Sequence, residues 1–116
     1  MEKKEFTVVI PITVLDYITP LFLEIYDVNV TKVVQKAYDY CTMTLNEKER
    51  KEQLSKAASK YYNLFINKRA TKVIHIKTAE NMKQYQASNL VLLYLLVYMQ
   101  YMENLLNVPE EKKFNV

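Results

Sequence analysis

Side chains able to do covalent or metal chemistry are few in this chain. Its 116 residues include one histidine, His75, and one cysteine, Cys41. Neither a disulfide framework nor a Cys-based zinc site can be assembled from them within the chain. No Ser–His–Asp or Cys–His grouping is suggested. Glu47 and Glu49 form a carboxylate pair, but they lie in a charged surface segment with nothing to raise a pKa for acid–base work. Glycine is absent. That excludes a P-loop, a dinucleotide-binding turn and an EF-hand, since each needs a backbone position that only glycine tolerates. The expectation is a protein that is not an enzyme, with no cofactor, no metal and no small-molecule substrate. Charge is what the chain does concentrate. From Asn46 to Lys72 there are eight Lys or Arg and three Glu, a local +5 in a chain whose overall charge is +3. A basic stretch in a near-neutral remainder points to an anionic partner, although a Lys/Glu-rich helix is also what an ordinary solvated face looks like.

The elements that must carry these residues can be read from periodicity. Hydrophobic residues make up 50% of the chain, enough for one compact domain with a real core. Glu5 to Ile10 alternates as a strand, with Phe6, Val8 and Ile10 on one face and Glu5, Thr7 and Val9 on the other. Pro11 ends it, because proline cannot donate to a continuing ladder. A helix capped near Thr13, with Asp16 three residues on, carries apolar Leu15, Ile18, Leu21, Phe22 and Ile25. Pro20 should kink it or delay its start. A turn at Asp27–Asn29 precedes a helix from Val30 to Met43, whose stripe is Val30, Val33, Val34, Ala37, Tyr38 and Cys41. Asn46 then caps a long helix running to Arg69, with Leu54, Ala57, Ala58, Tyr61, Leu64 and Phe65 as its apolar side.

Thr71 to Lys77 is a second strand, Thr78 caps a short helix, Ala87–Asn89 is a turn and cap, and an apolar helix from Leu90 to about Leu106 follows. Pro109 and a charged tail close the chain. The run Leu90–Met99 falls short of the roughly 20 residues a bilayer crossing needs. No hydrophobic leader follows the first residues, MEKKEF. The expectation is therefore a cytoplasmic protein in a reducing compartment, with no membrane partner. Cys41 reads as a small buried hydrophobe. The last helix is apolar on nearly every side, so Tyr94, Tyr98 or Tyr101 can be left for a second chain. The Lys-, Asn- and Tyr-rich, glycine-free composition fits a small viral or mobile-element gene.

The order strand, helix, capped turn, helix occurs twice. Thr7–Ile10 aligns with Val73–Ile76 and the cap Asn29 aligns with Ser88, the first helix of the second copy being about seven residues shorter. A six-residue strand is not stable alone and needs a partner. On these residues the chain resembles the ribbon-helix-helix family of DNA-binding proteins. Phe6-Thr7-Val8-Val9-Ile10-Pro11 matches the family's strand, and Val28-Asn29-Val30-Thr31-Lys32-Val33-Val34-Gln35-Lys36-Ala37 its turn and second helix. The resemblance covers residues 4–43 well and 71–106 loosely. The whole is similar to tandem regulators of archaeal filamentous viruses.

The resemblance implies a mostly α fold with a short antiparallel two-stranded β-ribbon. Two ribbon-helix-helix units would form a pseudo-dimer: unit one at 1–45, a basic linker helix at 46–69, a divergent unit two at 70–107 and a charged tail at 108–116. It implies a transcription regulator that inserts the ribbon into the major groove of double-stranded DNA and self-associates on it. Inward strand residues would be Phe6, Val8, Ile10, Ile74 and Ile76; the outward, base-facing set would be Glu5, Thr7, Val9, Thr71, Val73 and His75. Thr7, Thr71 and His75 can donate, Glu5 can accept from cytosine, and Val9 and Val73 can meet a thymine methyl. The family's usual Arg, Lys, Asn or Gln readers are missing, which implies modest, A·T-tolerant specificity with a larger backbone and shape component. Phosphates would sit at the second helix's N-terminus, at Asn29, Val30 and Thr31, and by analogy at Ser88 and Asn89. Lys3, Lys4, Arg69 and Lys72 would neutralise further phosphates. Two other readings stay open: an antitoxin-like repressor whose C-terminal half grips a protein partner, and a helical viral interaction protein with no DNA role.

Overall fold

The computed structural model describes residues 3–23, 29–67, 69–80 and 82–115. Two strands, β1 (Lys4–Pro11) and β2 (Thr71–Thr78), pair antiparallel, and their sheet has no third strand among the described residues. The other elements are helices: α1 (Ile12–Leu23), α2 (Val30–Asp39), α3 (Glu47–Lys60), α4 (Asn63–Ile66) and α5 (Gln84–Leu105). A π turn at Tyr40–Thr44 extends α2, and a 3-10 turn at Glu110–Lys112 follows α5. Of the expected features, Asp27 and Val28 of the turn, the apolar position Ile25 and the helix-end residue Lys68 lie outside the described residues.

The ribbon follows its alternation. Phe6 stands opposite Ile76 and Val8 opposite Ile74, and all four are buried together with Ile10. The opposite row is exposed at Glu5, Thr7, Val9, Thr71, Val73, His75 and Lys77. A bare ribbon could not hold itself, so the helices hold its inner face and both of its edges. α5 lies against β1 and α2 against β2. Gln84 Nε2 donates to Thr7 O (2.6 Å), and Val9 N donates to Ser88 Oγ (3.0 Å). On the far edge Gln35 acts as a fork: Lys77 N donates to its Oε1 (2.8 Å), while its Nε2 donates to Lys77 O (3.0 Å). Four main-chain groups that a third strand could otherwise satisfy are thus bonded to side chains, which blunts the edges there against pairing with another chain.

α5 is about 33 Å long at 1.5 Å per residue. It runs through the core, burying Val91, Leu92, Tyr94 to Met99 and Met102, as a helix apolar on nearly all sides must. Of the three tyrosines expected to be available to a second chain, Tyr94 and Tyr98 are buried and only Tyr101 is exposed. Tyr40 stacks on Tyr101 (centroids 4.9 Å apart) and meets Tyr98 at a tilt of 51° (5.0 Å). No described helix is long and apolar enough to cross a membrane.

Several boundaries differ from the sequence reading. α1 starts at Ile12 directly after the strand, with Ile12 N donating to Ala70 O, so Thr13 is not its cap. It continues through Pro20 to Leu23. The basic helix does not reach Arg69 but stops at Lys60. Tyr61 leaves helical geometry and drops its ring into the core beside Phe114, with Gln100 Nε2 donating to its hydroxyl (3.3 Å). The largest difference is in the second half. Where two helices separated by a turn at Ala87–Asn89 are expected, there is one continuous helix starting at Gln84. Ala87 is fully buried and Ser88 is engaged by β1. The cap propensity of Ser-Asn yields to the burial that an unbroken helix provides.

The terminal segment expected as a charged tail is folded back where it is described. Asn107 takes the left-handed conformation (φ 52°) that other chains give to glycine. Val108 N donates to Glu103 O, and Asn107 N donates to Asn104 O. Phe114 then packs edge-on against Tyr17 (5.4 Å), and its N–H donates to Glu103 Oε2 (2.8 Å), which also accepts from Tyr17 Oη (2.5 Å).

Candidate functional site

The candidate surface is the outer face of the ribbon, an exposed row that includes two valines. A two-residue period makes its rungs Glu5–Lys77, Thr7–His75 and Val9–Val73. Val9 N and Lys77 N both bond to helix side chains, so they point away from the partner strand. That marks these rungs as the closely spaced pairs of an antiparallel ladder, with Cβ atoms about 4.5–5.5 Å apart. Side chains on one rung therefore act together. His75 Nδ1 turns toward β1, 3.3 Å from Thr7 Oγ1 and 3.4 Å from Glu5 Oε1. Glu5, the one carboxylate on the face, is thus set between His75 and Lys77.

A groove adjoins the Val9–Val73 end, and a separate cavity lies where the start of β2 meets α1 and α2. The groove, of about 440 Å³, is lined by Val9, Pro11, Ile66, Arg69, Thr71, Ser88 and Asn89, among others. Five expected site residues, from β1, the segment before β2, β2 itself and α5, meet there. The separate cavity, of about 450 Å³, brings Lys72 of β2 and Val30 of α2 together, with Asp16 and Thr19 of α1 on its wall. α2 opens there as predicted. Asn29 Oδ1 accepts from Lys32 N (3.0 Å), and Asn29 O accepts from Val33 N. The side chains of Asn29 and Thr31 are exposed. The positive end of the helix dipole therefore faces outward beside Lys72. Lys4 is exposed at the far end of the ribbon, opposite Thr78, and Lys3 and Lys77 border a third cavity there.

One expected role is overturned. Ser88 and Asn89 are inside α5, so they offer no helix N-terminus; Ser88 holds the edge of β1 and Asn89 lines the groove. Three residues were missed. Lys77 shares the outward row with Val73 and His75, and simple alternation from either would have found it. Gln35 and Gln84 hold the ribbon edges, and no local pattern marks them, because their partners lie 42 and 77 residues away in sequence.

A polar cluster is centred on Tyr38. Tyr38 Oη bonds to Thr78 Oγ1 (2.7 Å) and to the Glu80 carboxylate, and Glu80 N donates to Thr78 Oγ1 (2.9 Å). This knot ties the end of β2 to α2. Burial, with Glu80 adding to it, pushes the Tyr38 hydroxyl well above its ordinary range. Burial also lifts the Cys41 thiol to about 12, so it is not ionised at neutral pH. No group of three His, Cys, Asp or Glu able to hold a metal occurs among the described residues. A scan against protein-family models finds no match, and searches of curated proteins and of solved structures return no similar protein.

Proposed function

We propose that this protein is a ribbon-helix-helix-type transcription regulator that binds double-stranded DNA by inserting its β-ribbon into the major groove. The observation that carries the reading is the ribbon itself: one face buried, the other open, and each edge held at one point or more by helix side chains. A two-stranded ribbon is the β element that the major groove, about 12 Å wide, admits. β1, α1 and α2 supply one ribbon-helix-helix unit. β2 and the single helix α5 stand in for the second, so the pseudo-dimer is made within one chain. The capped start of α2 and Lys72 would hold phosphate at one site, and Arg69 with Asn89 at another. A single ribbon spans only a few base pairs, so several copies would assemble along the DNA.

The test is fluorescence anisotropy of the full chain on a labelled random-sequence duplex from about 50 to 200 mM salt, where log affinity should fall linearly with log salt. Thr7 and His75 are both exposed, so Thr7→Glu with His75→Glu should leave the fold intact and abolish binding. Equal binding by this variant, or no binding by the parent at the lowest salt, refutes the proposal.

A further inference from the structure

The ribbon's outer face has two chemically different ends, and we infer that the chain engages duplex DNA with one fixed polarity, placing the methyl groups of thymine under the Val9–Val73 rung. This rests on the DNA-binding reading above and goes beyond it. A ribbon made by two identical chains must show the same side chains at both ends; this one is made from two different strands and does not. One end carries Glu5 and Lys77, with Lys4 beside them. The other carries two valines directly opposite each other, 45% and 54% exposed, with Ile66 (53% exposed) in the adjoining groove.

The solvent row of an antiparallel strand is ordinarily polar. A paired valine rung there gains nothing from the chain's own core, while it suits an apolar group brought by a ligand. Because Val9 and Val73 form a close pair, the two side chains make one continuous apolar ridge. Charge says what kind of ligand. Arg69 borders the groove that Val9 also lines, while Lys72, paired with Ile10 on the inward row, lies in the cavity where α2 opens, with Asp16 on its wall. An apolar ridge with Arg69 at its edge and the positive end of α2 near the same end of the ribbon matches a polyanion whose groove floor carries methyl groups. In the major groove that group is the thymine C5-methyl. The opposite end, with a carboxylate and a lysine on one rung, has no use for a methyl and can accept from cytosine or donate to purine acceptors.

The experiment selects duplexes from a randomised pool with the full chain and measures the stoichiometry of the winner. Each thymine of the winner is then replaced in turn by deoxyuracil, which removes only the methyl. The expected result is a site that is not palindromic within the footprint of one bound chain. Methyl sensitivity should lie on one side of that footprint, at about fourfold in Kd for each methyl. Val9→Ser with Val73→Ser, both at exposed positions, removes the γ-methyls and should erase the sensitivity while preserving the salt dependence. A palindromic site under a single chain, or deoxyuracil replacements that change nothing, overturns the polarity and leaves DNA binding standing. Failure to bind any duplex at low salt overturns both.

Discussion

Removing Arg69 and Lys72 together is the sharpest quantitative test of the proposed DNA contact. Five cations border the ribbon: Lys3, Lys4, Arg69, Lys72 and Lys77. If each displaces one counterion, the slope of log affinity against log salt is about −4.5, at roughly −0.9 per phosphate neutralised. Affinity then falls about 500-fold on going from 50 to 200 mM salt. Arg69→Ala with Lys72→Ala removes two of the five and should bring the slope to about −2.7, for a fall of about 40-fold over the same range. Both side chains are exposed, so the unfolding midpoint should move little. Anisotropy on a random-sequence duplex at four or more salt concentrations gives the slope directly, and circular dichroism checks the fold. An unchanged slope in a folded double variant would show that these two residues do not touch phosphate. The placement of DNA across the Val9–Val73 end would then be wrong.

Other expectations concern the scaffold that holds this face in place. Tyr17→Phe removes one of two donors to the buried carboxylate of Glu103 and should destabilise the chain by about 1.5–3 kcal/mol in urea unfolding, as loss of a hydrogen bond to a charged group does; less than 0.5 kcal/mol would mean that Glu103 is satisfied in another way. Asn29→Ala deletes the cap of α2 at a cost of about 1 kcal/mol, and if the start of α2 holds phosphate it should weaken DNA binding as well. Burial raises the hydroxyls of Tyr17, Tyr38, Tyr40, Tyr61 and Tyr94 above their ordinary value of 10. The folded chain therefore keeps protons that the unfolded chain releases above pH 10. This stabilisation is complete below pH 10 and is lost as pH rises beyond it. Tyrosinate absorbance should appear in two phases, the second coinciding with loss of helical dichroism; smooth titration of all tyrosines with the fold intact would contradict this. Cys41 should react with a thiol reagent at neutral pH only under denaturing conditions, and rapid labelling of the native chain would refute its burial.

The facing of the ribbon residues was legible from the sequence because side-chain parity is a local property of extended backbone. Phe6, Val8, Ile10, Ile74 and Ile76 are inside, and Glu5, Thr7, Val9, Val73 and His75 are outside, as alternation alone requires. The caps at Asn29 and Asn46 were legible for the same reason, since each bonds to an amide three residues away. Tertiary contact decided the rest. Ser88 and Asn89 carry cap propensity, yet burial of Ala87 and the bond from Val9 N keep them inside a helix. Tyr61 ends α3 because its ring finds the core, not because the local sequence stops favouring a helix. The bonds of Gln35, Gln84 and Ser88 to the ribbon edges join residues 42 to 79 positions apart. Propensity and periodicity describe a residue by its near neighbours. Which strand edges are open, which helix runs through, and which cations flank the ribbon are set by groups that meet only when the chain has folded.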